Sequence, residues 1–212
     1  YKGEAYFMLG FAYGELATYY GDCVLNKGMT LEEAYEAVRT PKKEVMAYAY
    51  ECLDKAIELL PDSHTGQQRP TKGVALGIKA RFALYHEDWE TAAQAAEQCM
   101  NSKVYKLHDN YGELFKADSS PELMFYFKGD LTLKKGYGLF DNVYNYVIRK
   151  IGGACNRSPS LELFCSYTCT DGLPINKSPL YNPKDPFANR DPRLAMTIQP
   201  FKTKYSTDYA EY

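Results

Sequence analysis

The stretch KKGYGLFDNVYNYVIRK, residues 134–150, concentrates side chains suited to holding a small ligand. Tyr137, Phe140, Tyr144 and Tyr146 offer flat apolar faces on which the C–H face of a sugar ring, or a peptide side chain, can lie. Asn142, Asn145 and Arg149 add the donors and acceptors that fix the orientation of hydroxyl groups. The competing use of the same rings is to close a small core.

Groupings that perform covalent chemistry are missing: there is no nucleophile elbow, phosphate loop or zinc-binding helix motif. Glu162 and Asp171 come nearest to a carboxylate pair for glycoside hydrolysis, which needs two acids facing each other across roughly 5–10 Å. Asp171-Gly172, however, reads first as a turn. Cys165 and Cys169 fall four apart, as on one helical face, yet no His or second Cys pair completes a tetrahedral metal set; core thiols, or a disulfide involving Cys155, are the expectation. His64, His86 and His108 are isolated and read as surface or capping residues. The single tryptophan, Trp89, follows a hairpin turn at a helix-packing position, which assigns it to the fold rather than to a sugar platform. These residues give no reason to expect a cofactor or a metal. PKDPFANRDPRLAMTI, residues 183–198, reads as a structural clamp: its prolines forbid a continuous helix, and Arg190 and Arg193 can bridge carboxylates or carbonyls with planar forks.

Such residues need a frame, and 45% hydrophobic residues over 212 positions suffice to bury one. Lys and Arg total 25 against 27 Asp and Glu, a formal charge of −2, so no broad basic field exists to grip nucleic acid or an anionic membrane. Six cysteines are too sparse for a disulfide framework. No run approaches the ~18 apolar residues that span a bilayer. Lacking an initiator Met and opening directly on a helical pattern, the chain is expected to be an excerpt of a longer one.

The positioning elements are read as helices. Ala5, Met8, Leu9, Ala12, Leu16 and Tyr19 form an apolar stripe over residues 5–20, ended by Gly21-Asp22. Thr30 and Glu33 make a capping box for a short helix inside the connection. Thr40 as N-cap with Pro41 at the first helical position opens a long helix running to Pro61. Thr71 caps a helix apolar on two sides, hence packed between neighbours, and Asp88 caps an alanine-rich one; the short turn between them makes an antiparallel hairpin. Downstream lie loops, one strand near 122–128 and a short helix over 160–167.

Tyr6, Leu9, Gly10 and Tyr13 fit the first half of a tetratricopeptide repeat, and Ala49, Leu53, Ala56 and Pro61 the second, split by an insertion of ~27 residues near 21–40. A second, uninterrupted unit spans about 71–102, through Leu76, Ala80, Trp89, Ala92, Ala96 and Cys99. Six blocks then occur in an order that resembles the SusD/RagB family of Bacteroidetes nutrient-binding lipoproteins: GEAYFMLGFAYGELATYYGD, RTPKKEVMAYAYECLDKAIELLP, TKGVALGIKARFALYHEDWETAAQAAEQCM, SSPELMFYFK, SPSLELFCSYTCTDGLPI and DPFANRDPRL. The resemblance implies a mainly α fold, a TPR-like α/α superhelix over 1–109 with an irregular, loop-rich ligand-binding part with little β over 110–212, together one incomplete domain. It implies a surface lipoprotein of the outer membrane that binds an oligosaccharide without cutting it, not an enzyme, and lids a SusC-like TonB-dependent transporter, held by a lipid anchor outside this chain. It places part of the ligand site in the aromatic stretch 134–150. A peptide-binding RagB-like member, an intracellular TPR scaffold and a helical glycan-processing enzyme are the alternatives.

Overall fold

Gly3, Phe7, Gly10, Gly14 and Ala17 recur at steps of three and four along the first helix, and these are the residues that α1 (Lys2–Tyr20) buries. The apolar stripe read from the sequence, Ala5, Met8, Leu9, Ala12, Leu16 and Tyr19, is exposed instead. Closeness of approach decides this: a Cβ on Gly10 would meet Leu53 Cγ at 2.7 Å and the Ala49 carbonyl oxygen at 2.9 Å, and one on Gly14 would meet Phe82 Cε2 at 2.2 Å. At Gly10 and Gly14 the missing side chains let two further helices lie against the α1 backbone, and Phe7 is the large side chain buried on the same face.

The computed structural model describes residues 1–64, 69–115, 120–126 and 157–200. The described residues pack as two units, one of residues 1–108 with 120–126 and one of 109–115 with 157–200. In the first unit the second long helix, α3 (Lys42–Leu59), buries Val45, Met46, Ala49, Cys52, Leu53 and Ala56, the face its periodicity predicts. Its pairing with α1 is antiparallel, since Gly3 meets Leu59 and Gly10 meets Leu53. The start of α3 differs from expectation. Pro41 is the N-cap, without a side-chain cap bond. Thr40 is drawn into an antiparallel bridge with Cys23, and Asp22 Oδ1 accepts from the Lys42 N–H at 2.7 Å. A residue twenty positions upstream thus supplies the capping oxygen, which local sequence does not reveal.

Between them α2 (Leu31–Glu36) carries the predicted capping box and buries nothing. Tyr13 pins this insertion, its hydroxyl accepting from the Asn26 N–H at 2.9 Å and donating to the Asn26 carbonyl at 3.1 Å. Thr71 caps α4 (Lys72–Tyr85) and Asp88 caps α5 (Trp89–Asn101), each side chain accepting from the backbone N–H three residues on. Helix α4 buries residues on both of its stripes because it lies between α3, α1 and α5. Trp89 departs from its expected packing role: it sits at the first position of α5 and is 62% exposed.

Phe7, Phe82, Leu53, Val45 and Val74 are fully buried at the centre of this unit; each such side chain contributes about 1.5–3 kcal/mol by leaving water. Residues 120–126 close the core rather than add a sheet. Phe125 meets Phe7 edge-on with ring centroids 5.5 Å apart, and Met124 packs on the cluster. The strand expected near 122–128 is absent over 122–126; apolar burial is met by packing on helices, without a ladder. Positions 127 and 128 lie outside the described residues.

The second unit contains α6 (Tyr111–Leu114), α7 (Leu161–Ser166, capped by Ser160) and α8 (Arg193–Thr197). Its other described residues are turns and one isolated bridge, Cys169 with Arg190. The fold class is therefore mainly α, with almost no strand among the described residues.

Candidate functional site

The seven binding residues named from the sequence, Tyr137, Phe140, Asn142, Tyr144, Asn145, Tyr146 and Arg149, all lie outside the described residues. The chain enters that stretch from Tyr126, which lines a cleft of about 220 Å³ in the first unit. His64, Arg69, Tyr105, Met124 and Phe125 share its wall. Several of its polar groups are already committed. The Thr71 and Tyr105 hydroxyls bond at 2.6 Å, and His64 Nε2 lies 3.2 Å from the Pro70 carbonyl. Arg69 forms an ion pair with Glu4 and lies over the Tyr1 ring. The hydrogen bond from Arg69 holds the Glu4 carboxyl below its usual range. What this cleft offers is an aromatic and thioether wall, a surface for stacking rather than for proton transfer.

A larger cleft, of about 650 Å³, opens where the first turn of α3 meets the α4–α5 turn, between Lys42, Lys43, Met46, Tyr50, Tyr85 and His86. Its polar groups are largely uncommitted. Neither lysine ammonium is within ion-pair distance of a carboxylate among the described residues, and the Tyr50 hydroxyl is buried without a partner. Burial, reinforced by the Asp88 charge, pushes the Tyr50 phenol up to about 12. Thr18 Oγ1 donates to the Gly14 carbonyl at 2.7 Å. At its 3.1 Å contact with Thr18, His86 Nε2 must therefore be the donor, which leaves Nδ1 as an acceptor. Burial, then the nearby Lys42 charge, lowers the His86 pKa and keeps the ring neutral.

Sequence reasoning missed this second cleft because its residues come from two segments about forty positions apart. The one local signal was Lys42-Lys43 in a first helical turn, the end where the helix dipole disfavours cations.

The remaining sequence candidates resolve as structure. Asp171 accepts from the Ser178 hydroxyl at 2.7 Å and the Leu173 N–H at 3.0 Å, so it closes a turn at Gly172, where φ is 80°. Glu162 lies in the first turn of α7. Cys165 and Cys169 are free thiols, and Cys155 lies outside the described residues. No group of three or more His, Cys, Asp or Glu able to hold a metal occurs among the described residues. In the 183–198 motif Arg190 is 5% exposed. It donates to the carbonyls of Pro186 at 2.9 Å, Phe164 at 2.8 Å and Tyr167 at 2.9 Å, with its guanidinium 4.8 Å from the Phe164 ring centroid. Arg193 forks onto Asp191 and holds that carboxyl below its usual range. The motif is a clamp that ties α7 to the turn before α8.

Residues 1–84 match the model of a SusD-like family described as starch-binding associating with outer membrane. SusD-like protein P2 of Formosa agariphila is 27% identical over 125 residues, which cover 57% of this chain and 25% of that one. A crystal structure of a SusD-like carbohydrate binding protein from Bacteroides fragilis matches 98% of this chain at 25% identity with a TM-score of 0.78. A second SusD-like protein of that species matches 92% at 25% identity, with a TM-score of 0.72. This chain spans 43% and 42% of those two structures.

Proposed function

We propose that this chain, whose residues 1–84 match the SusD-like family model, is a SusD-like protein that binds an oligosaccharide at the cell surface and passes it to a SusC-like TonB-dependent transporter. One observation carries this reading: 98% of the chain follows the fold of a SusD-like carbohydrate binding protein at 25% identity. The role is capture without cleavage. Asp171, one of the two acids that the sequence offered for hydrolysis, is bonded into a turn. The location proposed is the outer face of the outer membrane, with attachment through a lipid carried outside this chain.

The ligand contacts proposed are Tyr137, Phe140, Asn142, Tyr144, Asn145, Tyr146 and Arg149. Ring stacking contributes on the order of 1 kcal/mol per aromatic, so affinity comes from several weak contacts. Calorimetry of the intact protein against an oligosaccharide panel is expected to find binding in the micromolar to millimolar range. Changing Tyr144 and Tyr146 to Ala together is expected to weaken it about tenfold. Peptides binding in place of every saccharide would replace the carbohydrate reading with a peptide-scavenging one.

A further inference from the structure

We propose that the cleft between the first turn of α3 and the α4–α5 turn is a second saccharide site, and that it takes a sugar bearing a carboxylate, a uronic acid, held by Lys42 and Lys43 beside the ring of Tyr85. This rests on the carbohydrate reading above and adds to it a place and a ligand class.

Size is the first support. A volume of about 650 Å³ lies within the usual range of ligand clefts, ~300–1,000 Å³. The cations are the second. Lys55, Lys72 and Lys79 pair with Glu51, Asp62 and Asp54, whereas Lys42 and Lys43 have no such partner among the described residues. They stand in the first turn of an 18-residue helix, where Asp22 Oδ1 caps the Lys42 N–H at 2.7 Å but pairs with neither side-chain ammonium. These two ammonium groups, adjacent in sequence and unpaired among the described residues, are what a ligand carboxylate can pair with. Of the two acids lining the cleft, Asp88 is committed to the start of α5 at 3.2 Å from the Thr91 N–H. Glu87 makes no ion pair among the described residues and remains an acceptor for hydroxyls.

The rest of the wall suits a sugar better than an acidic peptide. Tyr85 is 61% exposed and presents a ring for C–H stacking. Neutral His86 brings an acceptor at Nδ1, and the Tyr85 hydroxyl can donate or accept. A polyhydroxyl ring fills these acceptors with O–H donors, and Asp or Glu side chains bring none.

The test is calorimetry of the intact protein, at low salt, with oligogalacturonate, oligoglucuronate and oligomannuronate against the matching neutral oligosaccharides. Two to three charge-assisted bonds predict at least about tenfold tighter binding of one uronate series. The double variant Lys42→Gln, Lys43→Gln is expected to abolish that preference, and Tyr85→Ala to weaken the uronate several-fold. Lys42 and Lys43 are exposed, so an unchanged melting temperature is expected to verify folding. Neutral sugars binding as well as uronates, with no effect of the lysine changes, would overturn this inference and leave the carbohydrate function standing. Oligoglutamate binding lost in the same variant would reassign the cleft to acidic peptides. Failure of every saccharide, acidic or neutral, would remove both readings together.

Discussion

Arg190 shows how a residue type with catalytic potential can be spent on architecture. Its guanidinium serves three backbone carbonyls from two segments, groups that no secondary structure satisfies, and the Phe164 and Tyr181 rings flank it. Arg190→Ala leaves those carbonyls unpaired in a buried setting, so a loss on the order of 3 kcal/mol is expected from urea unfolding. Arg190→Lys should recover little, since a single ammonium cannot span all three. A loss below about 0.5 kcal/mol in the alanine variant would show that the clamp carries no stability. His86 gives a pH signature of opposite origin. Its folded pKa is depressed, so the unfolded chain binds the proton more readily. Stability therefore falls as pH drops through about 6.5 and levels once pH is below the folded value. Urea midpoints followed over about pH 5 to 8 should slope downward toward acid, and His86→Gln should flatten that part of the slope. Glu4 and Asp191, whose folded pKa values are lowered, act further down: the stability they contribute is lost as pH falls through the carboxylate range.

Among the helices, the strongest constraint is the glycine side of α1. Gly14→Ala would ordinarily favour a helix by up to ~1 kcal/mol, but its Cβ would fall 2.2 Å from a Phe82 ring carbon. Overpacking of a rigid aromatic outweighs propensity, and a net loss of about 1–3 kcal/mol is expected in thermal or urea unfolding. A stabilised variant would mean that α1 and α4 are not in close contact. The same helix shows where reading the chain succeeded and failed. The α3 and α4 faces were legible because large apolar residues recur at helical spacing there. The buried side of α1 was not, because glycine and alanine carry little hydrophobic signal and their role depends on what lies opposite. The Thr30, Thr71 and Asp88 caps were visible, being local. The start of α3 was not, because Asp22 reaches it from another segment. The second cleft stayed hidden for the same reason, its lysines and tyrosines meeting only after α3 and α4 pack.

For the whole molecule, the physics of attachment separates two kinds of surface protein. Peripheral proteins held by charge need a basic field, and the 25 cationic side chains of this chain are outnumbered by 27 acidic ones, so these 212 residues supply no such field. Among the described residues no helix is long and apolar enough to cross a membrane. A covalent lipid, the attachment proposed above, is indifferent to ionic strength because burial of its CH₂ groups, ~0.8 kcal/mol each, is not screened. Washing membranes of the native cells with about 1 M salt, where the Debye length falls to roughly 3 Å, is therefore expected to leave the protein in the pellet. Detergent is expected to release it. Protease added to unbroken cells should remove it, since a protein that captures ligand for a transporter must face outward. Release by salt alone would overturn the lipid anchor, and survival of the protein in protease-treated intact cells would overturn surface exposure and with it the hand-over role.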